Sequence, residues 1–118
     1  MQIQVNTDHN IEGHAAMTTW ATSEVHNAVN RFAEHITRIE VHLSDENGSK
    51  NGPRDMRCLI EARHEGRPPV AVTEHADNLH QAVTGAAHKL ARLMESSLGR
   101  AARPVAAPEG APETEPPQ

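Results

Sequence analysis

The stretch 77–98 constrains the fold most, because its apolar residues recur at every third or fourth position. This spacing puts them on one stripe of an α-helix, which has to be buried against a partner. The stripe consists of Leu79, Ala82, Val83, Ala86, Leu90, Leu93 and Met94. Either Asp77 or Asn78 is expected to cap the start of this helix, and Gly99 is expected to end it. The segment therefore predicts a core helix, with Lys89 and Arg92 beside its apolar stripe.

The rest of the chain divides into strand-like and helix-like segments. Strict alternation of apolar and polar residues predicts strands over 2–6, 38–44, 55–64 and 69–73. Between the first two, the apolar period changes to helical and predicts a helix over 14–33. Segment 45–54 contains two Asn-Gly pairs and a proline, which are turn formers.

This order of elements, β-α-β-β-β-α, predicts a two-layer α+β sandwich with a four-stranded sheet and two helices on one face. The hairpins make strands two to four antiparallel. The other sheet face should be open to water and lined by the polar side chains of the strands, namely Gln2, Gln4, Glu40, His42, Arg57, Glu61, Arg63 and Thr73. We expect one domain over 1–103 and a disordered tail over 104–118, which is rich in Pro, Ala and Glu.

Composition narrows the class of protein. With 118 residues, of which 36% are hydrophobic and 2% aromatic, the chain is expected to have one modest, aliphatic core. A single cysteine, Cys58, excludes an internal disulfide. No apolar run approaches the roughly 20 residues of a membrane span, and the N-terminus does not resemble a signal peptide, so we expect a soluble cytoplasmic protein. The net charge of −5 argues against binding nucleic acid through bulk positive charge, although three of the glutamates lie in the tail.

The last helix, together with the order of elements, resembles the bacterial family of ribosome hibernation-promoting factors and ribosome-associated inhibitors, in its short form. Segment 78–83, Asn-Leu-His-Gln-Ala-Val, and segment 89–92, Lys-Leu-Ala-Arg, stand where the family shows Asp-Met-Tyr-x-Ala-Ile-Asp and then Lys-Leu-x-x-Gln. The opening segment 1–5, Phe32 and segment 39–43 also match. Together these segments cover residues 1 to about 100.

The resemblance implies a fold like that of double-stranded-RNA-binding domains. It also implies a non-enzymatic stress or stationary-phase factor that binds the small ribosomal subunit, covers its tRNA and mRNA sites and inhibits translation. Contact with ribosomal RNA would be made by cations that replace counterions along phosphates, with no base sequence read. The implied RNA-binding residues are Lys89 and Arg92, followed by Arg31, Arg38, Arg100 and Arg103. The protein would be a monomer off the ribosome, without a cofactor or a small-molecule substrate.

Several positions depart from the family pattern. Glu24 and Asn27 replace lysines on the first helix, and a Glu-Ser-Ser segment at 95–97 replaces a lysine-rich end of the last helix. His80 replaces a tyrosine and Thr84 an aspartate. The loss of cations predicts weaker RNA binding with a shallower dependence on salt. It also favours an alternative function, a protein-interaction or signalling module that kept the fold but lost most of its RNA affinity.

Two other classes of site receive less support from the sequence. His75, His80 and His88, with Asp77 among them, suggest a metal site, but their spacing fits none of the usual zinc patterns, and we expect no metal there. Cys58 falls on the inward face of a strand, where a buried small side chain is expected rather than a nucleophile. Together with the lack of a catalytic motif, this predicts that the protein is not an enzyme.

Overall fold

The computed structural model describes residues 1–8, 11, 14–47, 52 and 54–102, and for 98–102 only the backbone. The elements in chain order are β1 (Gln2–Thr7), α1 (His14–Val29), a 3₁₀ turn (Asn30–Phe32), β2 (Ile36–Asp45), β3 (Met56–His64), β4 (Val70–Ala76) and α2 (Leu79–Ala102). The predicted α+β class and element order are confirmed. Part of the predicted turn at 45–54 and the whole predicted tail at 104–118 lie outside the described residues.

The four strands form one sheet in the order β1-β2-β3-β4. Strand β1 pairs with β2 in parallel, since α1 carries the chain back across the sheet between them, whereas the hairpin-connected strands pair antiparallel. The register places Gln4 beside Glu40, and Glu40 directly opposite Glu61. These polar residues therefore share the predicted open face, the sheet face opposite the helices.

Helices α1 and α2 together form one layer, the helix layer, on the other face of the sheet. The alternate residues of β2 and β3 that point toward it are fully buried, as are Val25 of α1 and Leu90 of α2. The core consists of aliphatic side chains, alanines and Cys58, while Trp20 and Phe32 are only partly buried at its margin. The aliphatic core expected from the composition is confirmed.

Three predicted element ends differ from the structure by three or more residues. Helix α1 stops at Val29 and continues as the 3₁₀ turn. Strand β4 extends to Ala76 rather than ending at residue 73. Helix α2 runs through Gly99 to Ala102, because Gly99 stays in helical conformation and does not adopt the positive φ of a helix-ending glycine.

The start of α2 follows the prediction, and Asn78 is the capping residue. Its Oδ1 accepts a hydrogen bond of 2.8 Å from the backbone N–H of Gln81, which would otherwise have no partner in the first turn.

Neither described helix has the length and apolarity that crossing a membrane requires.

The last residue of β3, His64, is a buried polar side chain with 5% of its surface exposed. Within the described part of the chain, neither of its ring nitrogens has a hydrogen-bond partner. A buried polar group without a partner has lost its hydrogen bonds to water and gained none in return.

We therefore expect His64→Leu to raise the free energy of unfolding, by about 1 kcal/mol. The change removes the desolvation cost and keeps most of the side-chain volume. Urea denaturation followed by circular dichroism measures the effect, with His35→Leu, at an exposed turn position, as a control that should change little. A His64→Leu protein that is less stable than the parent would show that the imidazole has a hydrogen-bond partner in solution.

Candidate nucleic-acid interface

The two helices of the helix layer run in the same direction and touch along one polar seam. From one end to the other, three pairs cross this seam. The rings of Trp20 and His80 have centroids 4.4 Å apart, and the Thr84 hydroxyl donates a 3.0 Å hydrogen bond to Glu24 Oε2. Farther along, Arg31 Nη2 lies 3.6 Å from Glu95 Oε1.

Between the second and third pairs the seam opens into a shallow groove of about 360 Å³. The groove is lined by Glu24, Asn27, Ala28, His88 and Ala91. Glu24 and Asn27 are the positions where the sequence departs from the family lysines, so the groove has a carboxylate and an amide where cations were expected.

Lys89 is paired within the protein. Its Nζ lies 2.6 Å from Glu74 Oε1 and donates a 2.8 Å hydrogen bond to the backbone carbonyl of Thr73. Both partners belong to β4, the edge strand next to α2. The expectation that Lys89 presents a free cation is therefore corrected: a neighbouring carboxylate already balances its charge.

Gly85 makes room for this pairing. A Cβ atom at Gly85 would lie 2.8 Å from Glu74 Cγ and 2.9 Å from Oε2, so the Glu74 side chain lies directly against the glycine. Lys89 follows Gly85 by one helical turn, which brings its ammonium group to the Glu74 carboxylate. The space beside Gly85 is therefore filled by Glu74 and is not open to an RNA backbone.

Arg92 is exposed and, within the described residues, makes no ion pair. It lies on α2 three residues after Lys89, and it is the predicted binding residue whose charge is available to a partner.

The other predicted cations are placed less favourably. Arg31 is mostly exposed but forms an ion pair with Glu95. Its guanidinium carbon also lies 4.7 Å from the centroid of the Phe32 ring, a cation–π contact. Arg38 lies on the open face and does not share a surface with Lys89 or Arg92. The side chain of Arg100 and all of Arg103 lie outside the described residues.

Arg38 is instead tied into the open face by three side chains. It donates hydrogen bonds of 2.8 Å to Glu40 Oε2, 2.6 Å to Gln4 Oε1 and 3.5 Å to Gln2 Oε1. The hydrogen bond from Arg38 lowers the pKa of Glu40 below its ordinary value, with smaller contributions from the charges of Arg38 and His42.

The three histidines considered for a metal site lie apart. His75 Nδ1 is 2.7 Å from Asp55 Oδ1, the His80 ring packs at a tilt against Trp20, and His88 lines the groove. Within the described residues, they do not converge with other ligands on one point.

Cys58 lies on the inward face of β3 and is fully buried, as expected. Burial raises the pKa of its thiol to about 12, and the carboxylate of Glu74 adds to the rise. The thiolate is the reactive form, so the folded protein has almost none of it at neutral pH.

The sequence model of the family described as "Sigma 54 modulation protein / S30EA ribosomal protein" matches residues 3–101, nearly the whole described chain. The chain belongs to this family. It is a family of ribosome-associated factors, and the resemblance noted in the sequence is confirmed.

Solved structures show the same fold in distant sequences. A ribosomal subunit interface protein from Coxiella burnetii has a TM-score of 0.68 at 14% identity, covering 84% of this chain and 99% of that one. The N-terminal domain of Thermus thermophilus Protein Y has a TM-score of 0.66 at 19% identity, covering 82% of this chain and 99% of that one. No curated protein matches the sequence.

The environment of Cys58 predicts its reactivity. At pH 8, the thiol of the folded protein should react with a thiol-specific reagent at least roughly a hundredfold more slowly than that of the urea-unfolded chain, because its raised pKa and its burial both oppose attack. Absorbance of the released chromophore follows the reaction. Equal rates in the folded and unfolded protein would contradict the placement of Cys58 in the core.

Proposed function

We propose that this protein is a cytoplasmic stress or stationary-phase factor that binds the small ribosomal subunit and inhibits translation by covering its tRNA and mRNA sites. The observation that carries the proposal is family membership over residues 3–101. The likeness of the fold to a ribosomal subunit interface protein supports it. In this proposal the protein acts by occupying a site, as a monomer and without catalysing a reaction.

The helix layer is the proposed contact surface. Two parallel helices give it a long, ridged shape, and Arg92 provides a cation that can replace a counterion on a phosphate. Recognition of a folded RNA by shape and phosphate contacts needs no reading of base sequence. Arg31, Arg100 and Arg103 stay in the proposed set beside Arg92 and Lys89. Four of these five residues lie on α2 or directly after it.

The charges of the helix layer predict weak binding with a shallow dependence on salt. Glu74 forms an ion pair with Lys89, and Glu95 forms one with Arg31. Glu24 adds a further carboxylate at the groove. A phosphate would have to displace these carboxylates to gain the paired cations. The first contact in this proposal is therefore made by Arg92, and the paired cations contribute only as their carboxylates are released.

The second candidate function is a protein-interaction module on the same fold with little RNA affinity. The pairing of Lys89 and Arg31 with carboxylates favours it, because the charges of these two cations are already balanced within the protein and do not require RNA phosphates. The two functions differ in whether the protein moves with ribosomes.

Sedimentation tests the proposed function and the role of Arg92 together. The purified chain mixed with small ribosomal subunits of its source organism should co-sediment at low salt and be released at high salt. Arg92→Glu should weaken this binding by roughly tenfold or more and reduce the slope of log affinity against log salt by about 1, since one phosphate contact is lost. Lys89→Gln should have a much smaller effect, because Glu74 already balances that charge.

Arg57→Glu is the matched control, an equal change of charge on the open face, and should leave binding unchanged. A parent protein that stays at the top of the gradient at low salt would contradict the proposed function and support the interaction module. Equal losses for Arg92→Glu and Arg57→Glu would show that overall charge, rather than the helix layer, governs binding.

A further inference from the structure

Three metal-ligating side chains converge on the open face of the sheet. Glu40 and Glu61 lie directly opposite each other on β2 and β3, and His42 follows Glu40 by two residues, so all three point to the same side. Their ligand atoms all lie within 4.8 Å of one another. This cluster is separate from the helix layer and from the histidines that the sequence suggested.

The distances fit a coordination shell. His42 Nε2 lies 3.5 Å from Glu40 Oε1 and 3.3 Å from Glu61 Oε1. In a tetrahedral zinc site with bonds of about 2.1 Å, two ligand atoms are separated by about 3.4 Å. One ion beside the imidazole nitrogen would thus reach both carboxylates with little movement of the strands, and its fourth position would face water.

A surrounding residue fixes one of the ligands. Arg38 binds Oε2 of Glu40 and is itself held by Gln2 and Gln4 of β1, which leaves Oε1 directed at His42. Hydrogen bonds that orient a ligating carboxylate in this way are a regular part of metal sites.

Electrostatics also favours a cation at this point. Two carboxylates placed directly across an antiparallel pair repel each other. Arg38 offsets the charge of Glu40, whereas the ion pair described for Glu61 is the one with His42, which is charged only when protonated. A divalent ion between the two carboxylates would remove the repulsion and leave the imidazole neutral, as a metal ligand must be.

We propose that Glu40, His42 and Glu61 form a binding site for one divalent transition-metal ion on the open face, of which Zn²⁺ is the representative probe. A mixed set of one imidazole and two carboxylates suits Zn²⁺ better than the hard cations Mg²⁺ and Ca²⁺, which take oxygen ligands only. Bound metal would clamp β2 to β3 and stabilise the folded chain, since the unfolded chain does not hold the three ligands together.

Calorimetric titration of the untagged full chain with Zn²⁺ in a non-coordinating buffer tests the site. We expect one tight site per chain above the weak background of the other histidines, and a rise of the melting temperature with Zn²⁺. His42→Gln and Glu61→Gln should each lower the affinity of this site by roughly tenfold or more and abolish the rise. Circular dichroism without metal shows whether each variant keeps the fold.

His75→Gln is the matched control, because His75 lies on the same face and is also paired with a carboxylate, Asp55. It should leave the tight site unchanged. The proposal is overturned if the parent binds Zn²⁺ no more tightly than His42→Gln, or if the tight site persists in both ligand variants. Ribosome binding is measured separately, so failure of the metal site leaves the proposed function standing.

Discussion

The packing of α2 across β3 and β4 is the interaction on which the rest of the structure depends. Burial of Val83, Leu90 and Met94 closes the thin aliphatic core, and each such side chain contributes about 1.5–3 kcal/mol relative to exposure. The same packing removes Cys58 from solvent, which raises its pKa and makes it unreactive. It also brings the edge strand β4 close enough to α2 for Glu74 to lie against Gly85 and pair with Lys89. The charge pairing on the helix layer therefore follows from the packing of α2 on the sheet.

The ion pair between Glu74 and Lys89 links the core to the proposed function. Both side chains are partly exposed, so the pair contributes only about 0–1 kcal/mol to stability. In the proposed function its effect on binding would be larger, because it decides whether the charge of Lys89 is available to a phosphate. With Arg31 similarly engaged by Glu95, the helix layer is close to electroneutral, and Arg92 carries its available charge within the described residues. A family member with this surface should bind its target through fewer charge contacts than a lysine-rich one.

Periodicity was enough to predict the fold class, the element order and most of the buried side chains, because each depends on the burial of a local apolar pattern. The capping by Asn78 was equally local. The sequence does not predict the pairing of Lys89, because the predicted strand four ends at residue 73. The inward alternation of Val70 and Val72 in fact continues to Glu74, which signals a carboxylate pointing at the helix layer. The cluster of Glu40, His42 and Glu61 needed the register between two strands, and no single-strand pattern contains that register.

In the proposed function, Glu74 controls the charge that α2 presents to RNA. The most direct test measures the affinity of Glu74→Gln for small ribosomal subunits over a series of salt concentrations, beside the parent and the double variant with Lys89→Gln. If Glu74 has this role, Glu74→Gln binds more tightly at low salt, with a slope of log affinity against log salt steeper by about 1, and the double variant loses this gain. An affinity and slope equal to those of the parent, or a gain that persists without Lys89, would contradict it.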